Sequence, residues 1–182
     1  MLNKPRGVVT TASDEKDRQT VYAFLPDDIP WIAPVGRLDK ASEGLLLLTN
    51  DSELSARVLA AETHLDKTYH VQIAAIAGDE LLESMRKGVK TREGDFLRVK
   101  SVGILRGGKR NTWLEIVLDE GKNRHIRRML AEFAIEVLRL IRISIGPLSL
   151  GNLPKESCRP LTSEEIQALD RATNRRGVAQ KN

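Results

Sequence analysis

The chain has 182 residues, and its 41% apolar and 30% charged content is typical of a soluble globular protein rather than a disordered one. No apolar run approaches the ~20 residues that span a bilayer, and the N-terminus has no basic-then-apolar signal segment. The single cysteine, Cys158, excludes an internal disulfide and a cysteine-rich zinc cluster, so a reducing cytoplasm fits.

The positive charge is unevenly distributed along the chain. Lys and Arg number 29 against 25 Asp and Glu, and the whole excess comes from residues 171–182, which carry four cations and no acid. Within the balanced remainder, residues 98–142 hold eleven Lys and Arg against five Asp and Glu. Such a stretch is typical either of a solvated face or of a nucleic-acid surface, and charge alone leaves both open.

The first third of the chain predicts short strands and one helix. Leu45 to Thr49 is a buried strand by its length and apolarity, and Asp51 is placed to cap a following helix. The other elements predicted here are a strand from Leu2 to Thr11 broken by a turn at Pro5–Gly7, a polar loop over 13–20, a short helix over Val21–Leu25 and an extended segment over Trp31–Leu38.

The rest of the chain mixes strands and helices. The predicted elements are strands over Tyr69–Ile76, Arg98–Leu105, Trp113–Leu118 and Val137–Ile145, and helices over Asp79–Lys87, Asn123–Ala134 and Ser163–Thr173. Gly88 is placed to end the first of these helices, and Thr162 with Glu165 forms a capping box for the last. Strands and helices do not alternate regularly, which favours an α+β fold, with a lobe boundary near residues 62–66.

Two glycines bracket an arginine and an aspartate before the buried strand. The segment from Gly36 to Gly44 contains Arg37 and Asp39, and a loop beside a sheet suits a reactive group that a rigid scaffold must hold. A turn aspartate that bonds its own backbone fits the same spacing. Tyr69, after Lys67 at the start of a strand, is similarly either a core or rim tyrosine or a ring that stacks on a base.

The predicted helix around Arg127 has one apolar face. That face consists of Ile126, Met129, Leu130, Phe133 and Ala134. Arg124 and Arg128 lie roughly opposite, and Arg127 lies at the border, about 100° from Ile126. A border arginine can reach into a cleft and pair with a buried carboxylate, whereas the outer arginines face solvent or phosphate. An ordinary amphipathic helix with a basic outer face fits the same spacing.

The sequence contains no motif typical of a metal site, a nucleotide-binding site or a hydrolase nucleophile. His64, His70 and His125 stand alone, so no spacing of histidine and cysteine predicts a metal site. No phosphate-binding loop, dinucleotide fingerprint or nucleophile elbow is present.

Taken in order, these segments resemble the pseudouridine synthases of the RsuA/RluB/RluE/RluF group. The resemblance runs from about residue 1 to residue 170. It rests on the motifs Leu2–Pro5, Gly36–Asp39 leading into Glu43–Leu46, Asn50-Asp51, Lys67–Tyr69, Glu120–Met129, and Leu140–Arg142 with Ile145–Leu148. Each motif is weak alone, but their shared order and separation leave little room for chance.

The resemblance implies a fold and a set of residue roles. The implied fold is a mixed, mostly antiparallel sheet in two lobes, roughly 1–63 and 64–170, with the active cleft between them and a basic tail over 171–182. Asp39 matches the catalytic aspartate, Tyr69 the tyrosine that packs on the target base, and Arg127 the basic residue that pairs with the aspartate. Arg37 matches the arginine that takes part in base extrusion. The remaining expected RNA-binding residues are Lys67, Arg124 and Arg128.

The implied reaction is the isomerisation of a uridine in RNA. The N1–C1′ bond breaks, the uracil turns while held, and C5 bonds to C1′, so no atom or electron is exchanged and no cofactor or metal is expected. The target base must first be flipped out of its stack, at a cost of a few kcal/mol, and Arg37 can occupy the space that it leaves. Asp39 acts in its ionised form, either as a nucleophile at C1′ or as a base at C2′.

One departure from the family concerns the N-terminus. Most members carry an N-terminal S4 RNA-binding domain, whereas this chain begins within the first catalytic strand. It is therefore most similar to the RluE-type members that lack this domain, although a trimmed chain would look the same. The expected partner is ribosomal RNA, of the large subunit, or a ribosome assembly intermediate, bound by a monomer without a membrane. The alternatives are a catalytically silent RNA-binding or ribosome-assembly protein and a synthase that acts on transfer RNA.

Overall fold

The computed structural model describes residues 1–174, which form two compact units. The first unit comprises Met1–Leu65 and the chain from Arg142 onward, and the second comprises Asp66–Ile141. The first unit ends at Leu65, near the predicted boundary at residues 62–66, whereas the sequence prediction assigned everything from residue 64 to 170 to one lobe. The chain returns to the first unit within the nine-residue strand Val137–Ile145, which is ~30 Å long at ~3.3 Å per residue. This strand begins in the second unit and ends in the first.

Strands and helices are distributed along the whole described chain. The strands are β1 (Leu2–Lys4), β2 (Ala33–Pro34), β3 (Glu43–Leu46), β4 (Leu48–Thr49), β5 (Lys67–Ile73), β6 (Val89–Lys90), β7 (Phe96–Leu97), β8 (Ser101–Gly107), β9 (Thr112–Leu118), β10 (Val137–Ile145) and β11 (Leu148–Ser149). The α-helices are α1 (Ser52–Leu59), α2 (Asp79–Lys87), α3 (His125–Glu132) and α4 (Ser163–Asn174), with short 3₁₀ turns at Val21–Phe24 and Ala61–Thr63. The predicted mixture of elements, an α+β fold, is confirmed.

The first unit is organised around β3, which is buried on both faces. β1 pairs antiparallel with β3, so that Leu2 lies opposite Leu46. Leu46 and Leu2 belong to one apolar cluster, whereas Leu45 belongs to a second cluster that also contains residues of α1 and α4. Because successive side chains of a strand point to opposite faces, one short apolar strand supplies both halves of this core. The predicted strand over Leu45–Thr49 is thus divided, since β4 pairs with β2 in a separate sheet.

In the second unit β5, β9 and β8 pair antiparallel, with helices on one face. Its strand order is β10–β5–β9–β8, and Tyr69 of β5 lies opposite Ile116 of β9, which in turn lies opposite Val102 of β8. Alternate residues of β9 are buried, and they form one apolar core with Met85 of α2 and Met129 of α3. The other face of this sheet carries the partly exposed residues of the same strands.

Two predicted helix caps are confirmed. The carboxylate of Asp51 accepts hydrogen bonds from the backbone N–H groups of Glu53 and Leu54, both at 2.9 Å. At the last helix, the Glu165 N–H donates to the Thr162 hydroxyl at 3.2 Å, and the Thr162 N–H donates to the Glu165 carboxylate at 2.9 Å. These reciprocal bonds satisfy N–H groups that a helix start otherwise leaves without partners.

The described residues end at Asn174, within the predicted basic tail. None of the helices within residues 1–174 is long and apolar enough to cross a membrane. Of the cations in the predicted basic tail, Arg171 lies on α4. The others, Arg175, Arg176 and Lys181, lie outside the described residues.

Candidate active site

Asp39 lies on a loop whose backbone is held by the N-terminal segment. The Thr10 hydroxyl donates to the carbonyl of Leu38 at 2.8 Å and accepts from the N–H of the same residue at 3.3 Å. The N–H of Gly7 donates to the carbonyl of Lys40 at 2.7 Å. The backbone on both sides of Asp39 is therefore fixed, while its side chain is only half-buried. Such an arrangement suits a reactive carboxylate better than a mobile turn would.

Lys4 is a fully buried lysine that bonds to this loop. Its ammonium donates to the carbonyls of Pro5 at 3.0 Å, Asp39 at 3.2 Å and Ser42 at 2.9 Å. Burial lowers the pKa of Lys4 to about 8, and the nearby carboxylates of Asp39 and Glu43 oppose that shift. The buried cation thus ties β1 to the loop that carries Asp39 and contributes positive charge beside its carboxylate.

Sequence reasoning assigned no role to Lys4 or Thr10. Lys4 entered only as part of a motif, and Thr10 fell within a predicted strand that in fact ends at Lys4. β1 reads Leu-Asn-Lys, and nothing in this local pattern marks its lysine as buried, because two of its carbonyl partners lie 35 and 38 positions away along the chain.

Gly44, the second bracketing glycine, is required by packing rather than by loop mobility. Its φ of 100° is rarely adopted by other residues, and a Cβ added there would lie 2.3 Å from the carbonyl oxygen of Arg142. The buried Arg142 in turn donates from Nε to the carbonyl of Leu45 at 2.8 Å. The strand after the Asp39 loop is therefore locked against the end of β10.

Tyr69 lies on β5 at the edge of the core of the second unit. Its ring is half-buried and packs against the apolar cluster formed by the sheet, α2 and α3. Val71 and Ile73, which share its face of the strand, are fully buried. Lys67, at the start of the same strand, lies opposite Leu118 and is half-buried. The position at the rim of the core leaves part of the Tyr69 ring exposed.

The three arginines of α3 differ in their surroundings. Arg124 is exposed, as predicted, and adopts a left-handed φ of 46° directly before the helix. Arg127 is half-buried, and its Nη1 donates to the carbonyl of Val137 at 3.3 Å. Its position at the border of the apolar face agrees with the helical-wheel prediction, because its neighbours Ile126 and Met129 are buried.

Arg128 departs from the prediction that it faces outward. Its guanidinium is half-buried and forms ion pairs with Glu93, at 2.6 Å, and with Asp95. This pairing lowers the pKa of the Asp95 carboxyl. A helical wheel describes the helix alone and contains no information about the loop between β6 and β7 that supplies these carboxylates. Arg128 therefore binds protein groups that compete with any phosphate.

The predicted site residues are divided between the two units. Arg37 and Asp39 belong to the first unit, and the second unit contains the others, namely Lys67, Tyr69, Arg124, Arg127 and Arg128. Within residues 1–174, no group of three or more His, Cys, Asp and Glu side chains is arranged to hold a metal ion.

Comparison with known proteins decides the family. The family model of RNA pseudouridylate synthases matches residues 1–132, well over half of the chain. The chain belongs to the RNA pseudouridine synthase family. This synthase is 35% identical over 170 residues to the ribosomal large subunit pseudouridine synthase B of Bacillus subtilis, covering 93% of this chain and 70% of that protein.

A second relative and a solved structure agree with this assignment. The synthase is 35% identical over 166 residues to the ribosomal large subunit pseudouridine synthase E of Vibrio parahaemolyticus, covering 84% of this chain and 69% of that protein. A crystal structure of a pseudouridylate synthase matches with a TM-score of 0.79 at 30% identity, covering 92% of this chain and 71% of the other. The predicted RsuA/RluB/RluE-type membership is confirmed, and the protein is an isomerase.

The contacts of Lys4 predict how the synthase responds to its removal. Lys4→Met keeps the length of the side chain but leaves three carbonyls without their buried donor, so we expect the free energy of unfolding to fall by about 2 kcal/mol. We also expect slower pseudouridine formation, because the Asp39 loop loses two of its fixed points. Chemical denaturation and a single-turnover rate at saturating RNA measure the two effects. An unchanged stability and rate would show that the buried ammonium does not hold the loop.

The same substitution has a predicted pH dependence. The pKa of Lys4 is lowered from its usual 10.5 to about 8 by folding. Between these values the unfolded chain retains a proton that the folded protein has lost, so the contribution of Lys4 to stability rises with pH from about 8 upward. We expect the stability difference between the natural protein and Lys4→Met to grow over that interval. A difference that stays constant would mean that Lys4 titrates normally.

Proposed function

We propose that this synthase converts a specific uridine of ribosomal RNA, in the large subunit, to pseudouridine, acting as a monomer in the cytoplasm. The names of the Bacillus and Vibrio relatives support the choice of large-subunit RNA. The observation that carries the proposal is the half-buried Asp39 on a loop fixed by Thr10 and Lys4. The reaction needs a carboxylate in a defined position, and binding alone does not.

In this proposal Asp39 is the catalytic residue. Its carboxylate either attacks C1′ or removes a proton from C2′, and the N1–C1′ bond then breaks to release uracil within the site. After the uracil has turned, C5 bonds to C1′ as the Asp39–C1′ bond breaks or as the proton returns to C2′. C5 then loses its proton and N1 gains one, so that the product is an isomer of the substrate. The Lys4 ammonium donates to the backbone carbonyl of Asp39 and so helps to hold the loop in place through this sequence.

The other residues bind and orient the RNA. Arg37 is exposed two residues before Asp39, where it can take the place of the flipped uridine in the RNA stack. Arg124 is exposed at the start of α3, and both its left-handed backbone and its position at a helix N-terminus support a role in binding a phosphate. We propose that Lys67 also contacts RNA and that Arg127 acts in the chemical step together with Asp39. Arg128 would contribute to RNA binding only by giving up its ion pairs with Glu93 and Asp95.

Tyr69 is proposed to hold the detached uracil by stacking. Tyr69→Phe keeps the ring and should retain RNA binding with somewhat slower turnover. Tyr69→Ala removes a stacking interaction worth about 1–3 kcal/mol and should lose most activity. Single-turnover rates of both variants at saturating RNA, with unfolding measured in parallel, separate the two effects. Equal and nearly normal rates would show that the ring only packs at the rim of the core.

Two alternatives remain as outcomes of one experiment. The test is pseudouridine mapping of total RNA from a strain that lacks the gene, compared with the parent strain and with a strain that expresses Asp39→Asn. We expect one large-subunit site to disappear in both altered strains. Loss of a transfer RNA site would identify the other substrate class. If no site is lost, the protein is a catalytically silent RNA-binding or ribosome-assembly protein.

A further inference from the structure

The hairpin of β8 and β9 presents a concentration of positive charge. Residues 101–118, which form this hairpin, include three Lys and Arg at its turn end and one acid, Glu115. The turn is closed by a hydrogen bond from the Gly108 N–H to the Asn111 carbonyl at 2.8 Å, which leaves Lys109 and Arg110 at the tip. Both tip residues and Arg106 are exposed. The hairpin therefore projects three cations within five residues.

An irregularity in β8 determines where Arg106 points. Ile104 lies opposite Leu114, but the next registered pair is Arg106 with Trp113, so one extra residue is inserted at Leu105. Without this insertion, Arg106 would lie opposite the buried Thr112 and point toward the core. The bulge instead places Arg106 on the partly exposed face of the sheet, beside Trp113.

Trp113 fixes the guanidinium of Arg106. The Arg106 Cζ lies 5.1 Å from the centroid of the indole ring, and the Cζ of Arg139 lies 5.6 Å from the same ring. Cation–π contacts of this kind restrict a long side chain while leaving its N–H groups able to donate. The nearest acid along β9 is Glu115, which approaches His70 at 3.4 Å on the same face of the sheet.

The hairpin cations differ from others of the same unit in having no carboxylate partner. Arg86, Lys100 and Lys122 form ion pairs with Glu83, Asp66 and Glu120. Within residues 1–174, no carboxylate lies within ion-pair distance of Arg106, Lys109 or Arg110. A cluster of cations without counter-charges repels itself, and a polyanion relieves that repulsion.

We propose that this hairpin is an arm that binds the phosphate backbone of RNA, with Lys109 and Arg110 contacting phosphates and Trp113 positioning Arg106 for a further contact. The occupant is RNA because charge complementarity demands a polyanion and the family acts on RNA. The inference rests on the proposed RNA substrate but concerns binding, not the chemical step. It adds a surface that neither the shared motifs nor the candidate active site includes.

The first test compares two double variants that remove the same charge. We expect Lys109→Ala/Arg110→Ala to bind a labelled oligouridine about tenfold more weakly at low salt and to reduce the slope of log affinity against log salt by about 1.4, or ~0.7 for each phosphate contact on a single strand. The matched control is Lys87→Ala/Lys90→Ala, which removes two exposed cations of the same unit. In this control, the slope of log affinity against log salt should change by less than the loss of one phosphate contact would change it. Equal losses in both variants, or no loss in the first, would overturn the proposal.

A second test addresses the positioning of Arg106. Trp113→Ala should weaken oligouridine binding and lower the salt slope by up to about 1, whereas Trp113→Phe, which keeps a ring beneath the guanidinium, should restore most of both. Unfolding measurements on each variant separate this effect from loss of the fold. If Trp113→Phe binds as poorly as Trp113→Ala while both remain folded, the ring does not position Arg106.

Two further outcomes separate this inference from the proposed function. If polyglutamate competes with labelled oligouridine as effectively as unlabelled RNA does, the hairpin is a surface for acidic proteins. That result would overturn the proposal that the hairpin binds RNA. Pseudouridine formation is measured independently with the natural protein. Formation of product together with an unaltered affinity of the hairpin variants contradicts only the arm. Absence of product together with the expected salt slopes contradicts only the proposed function.

Discussion

Asp39→Asn is expected to abolish pseudouridine formation while the folded protein continues to bind RNA. An amide can neither attack C1′ nor accept the C2′ proton, so both proposed versions of the chemical step fail. The substitution is close to isosteric, and the hydrogen bonds that hold the loop use backbone groups of Leu38, Asp39 and Lys40, which it leaves in place. The measurement is pseudouridine content after prolonged incubation with RNA, with binding and unfolding determined on the same preparation.

Glu43→Gln provides a matched control for this experiment. Glu43 is a second carboxylate four residues along the chain, but it is 2% exposed and forms an ion pair with Lys155 at 2.7 Å. We expect this variant to lose stability rather than rate, because no leaving oxygen has to be protonated and a second acid is not required. Product above trace level from pure Asp39→Asn would remove Asp39 from the mechanism. A comparable loss of rate in Glu43→Gln would indicate a pair of carboxylates instead.

Local patterns in the sequence predicted the parts of the fold that depend on neighbouring residues. The caps at Asp51 and Thr162, the helix Asp79–Lys87 and the strand Val137–Ile145 lie where expected. The apolar face predicted for α3 is correct at Ile126, Met129 and Leu130, which are buried, but the helix ends at Glu132, so that Ala134 lies beyond it and is exposed. Each of these features is determined by residues within a few positions of one another, which a single sequence displays directly.

The support of the candidate site could not be predicted in the same way. Lys4 reaches the carbonyl of Asp39 from 35 positions away, and Thr10 reaches Leu38 from 28 positions away. Arg128 meets Asp95 across 33 positions. Contacts at such separations depend on how strands and loops are arranged, and neither spacing nor composition encodes them. The same limit explains why the chain's return to the first unit at Arg142 was missed.

Arg127→Ala is expected to reduce the single-turnover rate at saturating RNA by about 100-fold, with little change in the dissociation constant for RNA. The half-buried guanidinium is held by the carbonyl of Val137, and we propose that it acts in the chemical step together with Asp39. Arg127→Lys keeps a positive charge and should recover part of the rate. A purely structural role would instead lower stability in both variants without a difference in rate between them.

Arg124→Ala is the matched comparison on the same helix. Arg124 is exposed, so its loss should weaken RNA binding and reduce the salt slope by about 1. Arg128→Ala leaves Glu93 and Asp95 without their cation and should change stability more than the salt slope, in contrast to the expectation from the helical wheel. If Arg127→Ala weakens binding but leaves the saturated rate unchanged, Arg127 takes no part in the chemical step. The first turns of α3 would then form only a phosphate-binding surface, and the carboxylate of Asp39 would depend on groups of its own unit, foremost Lys4.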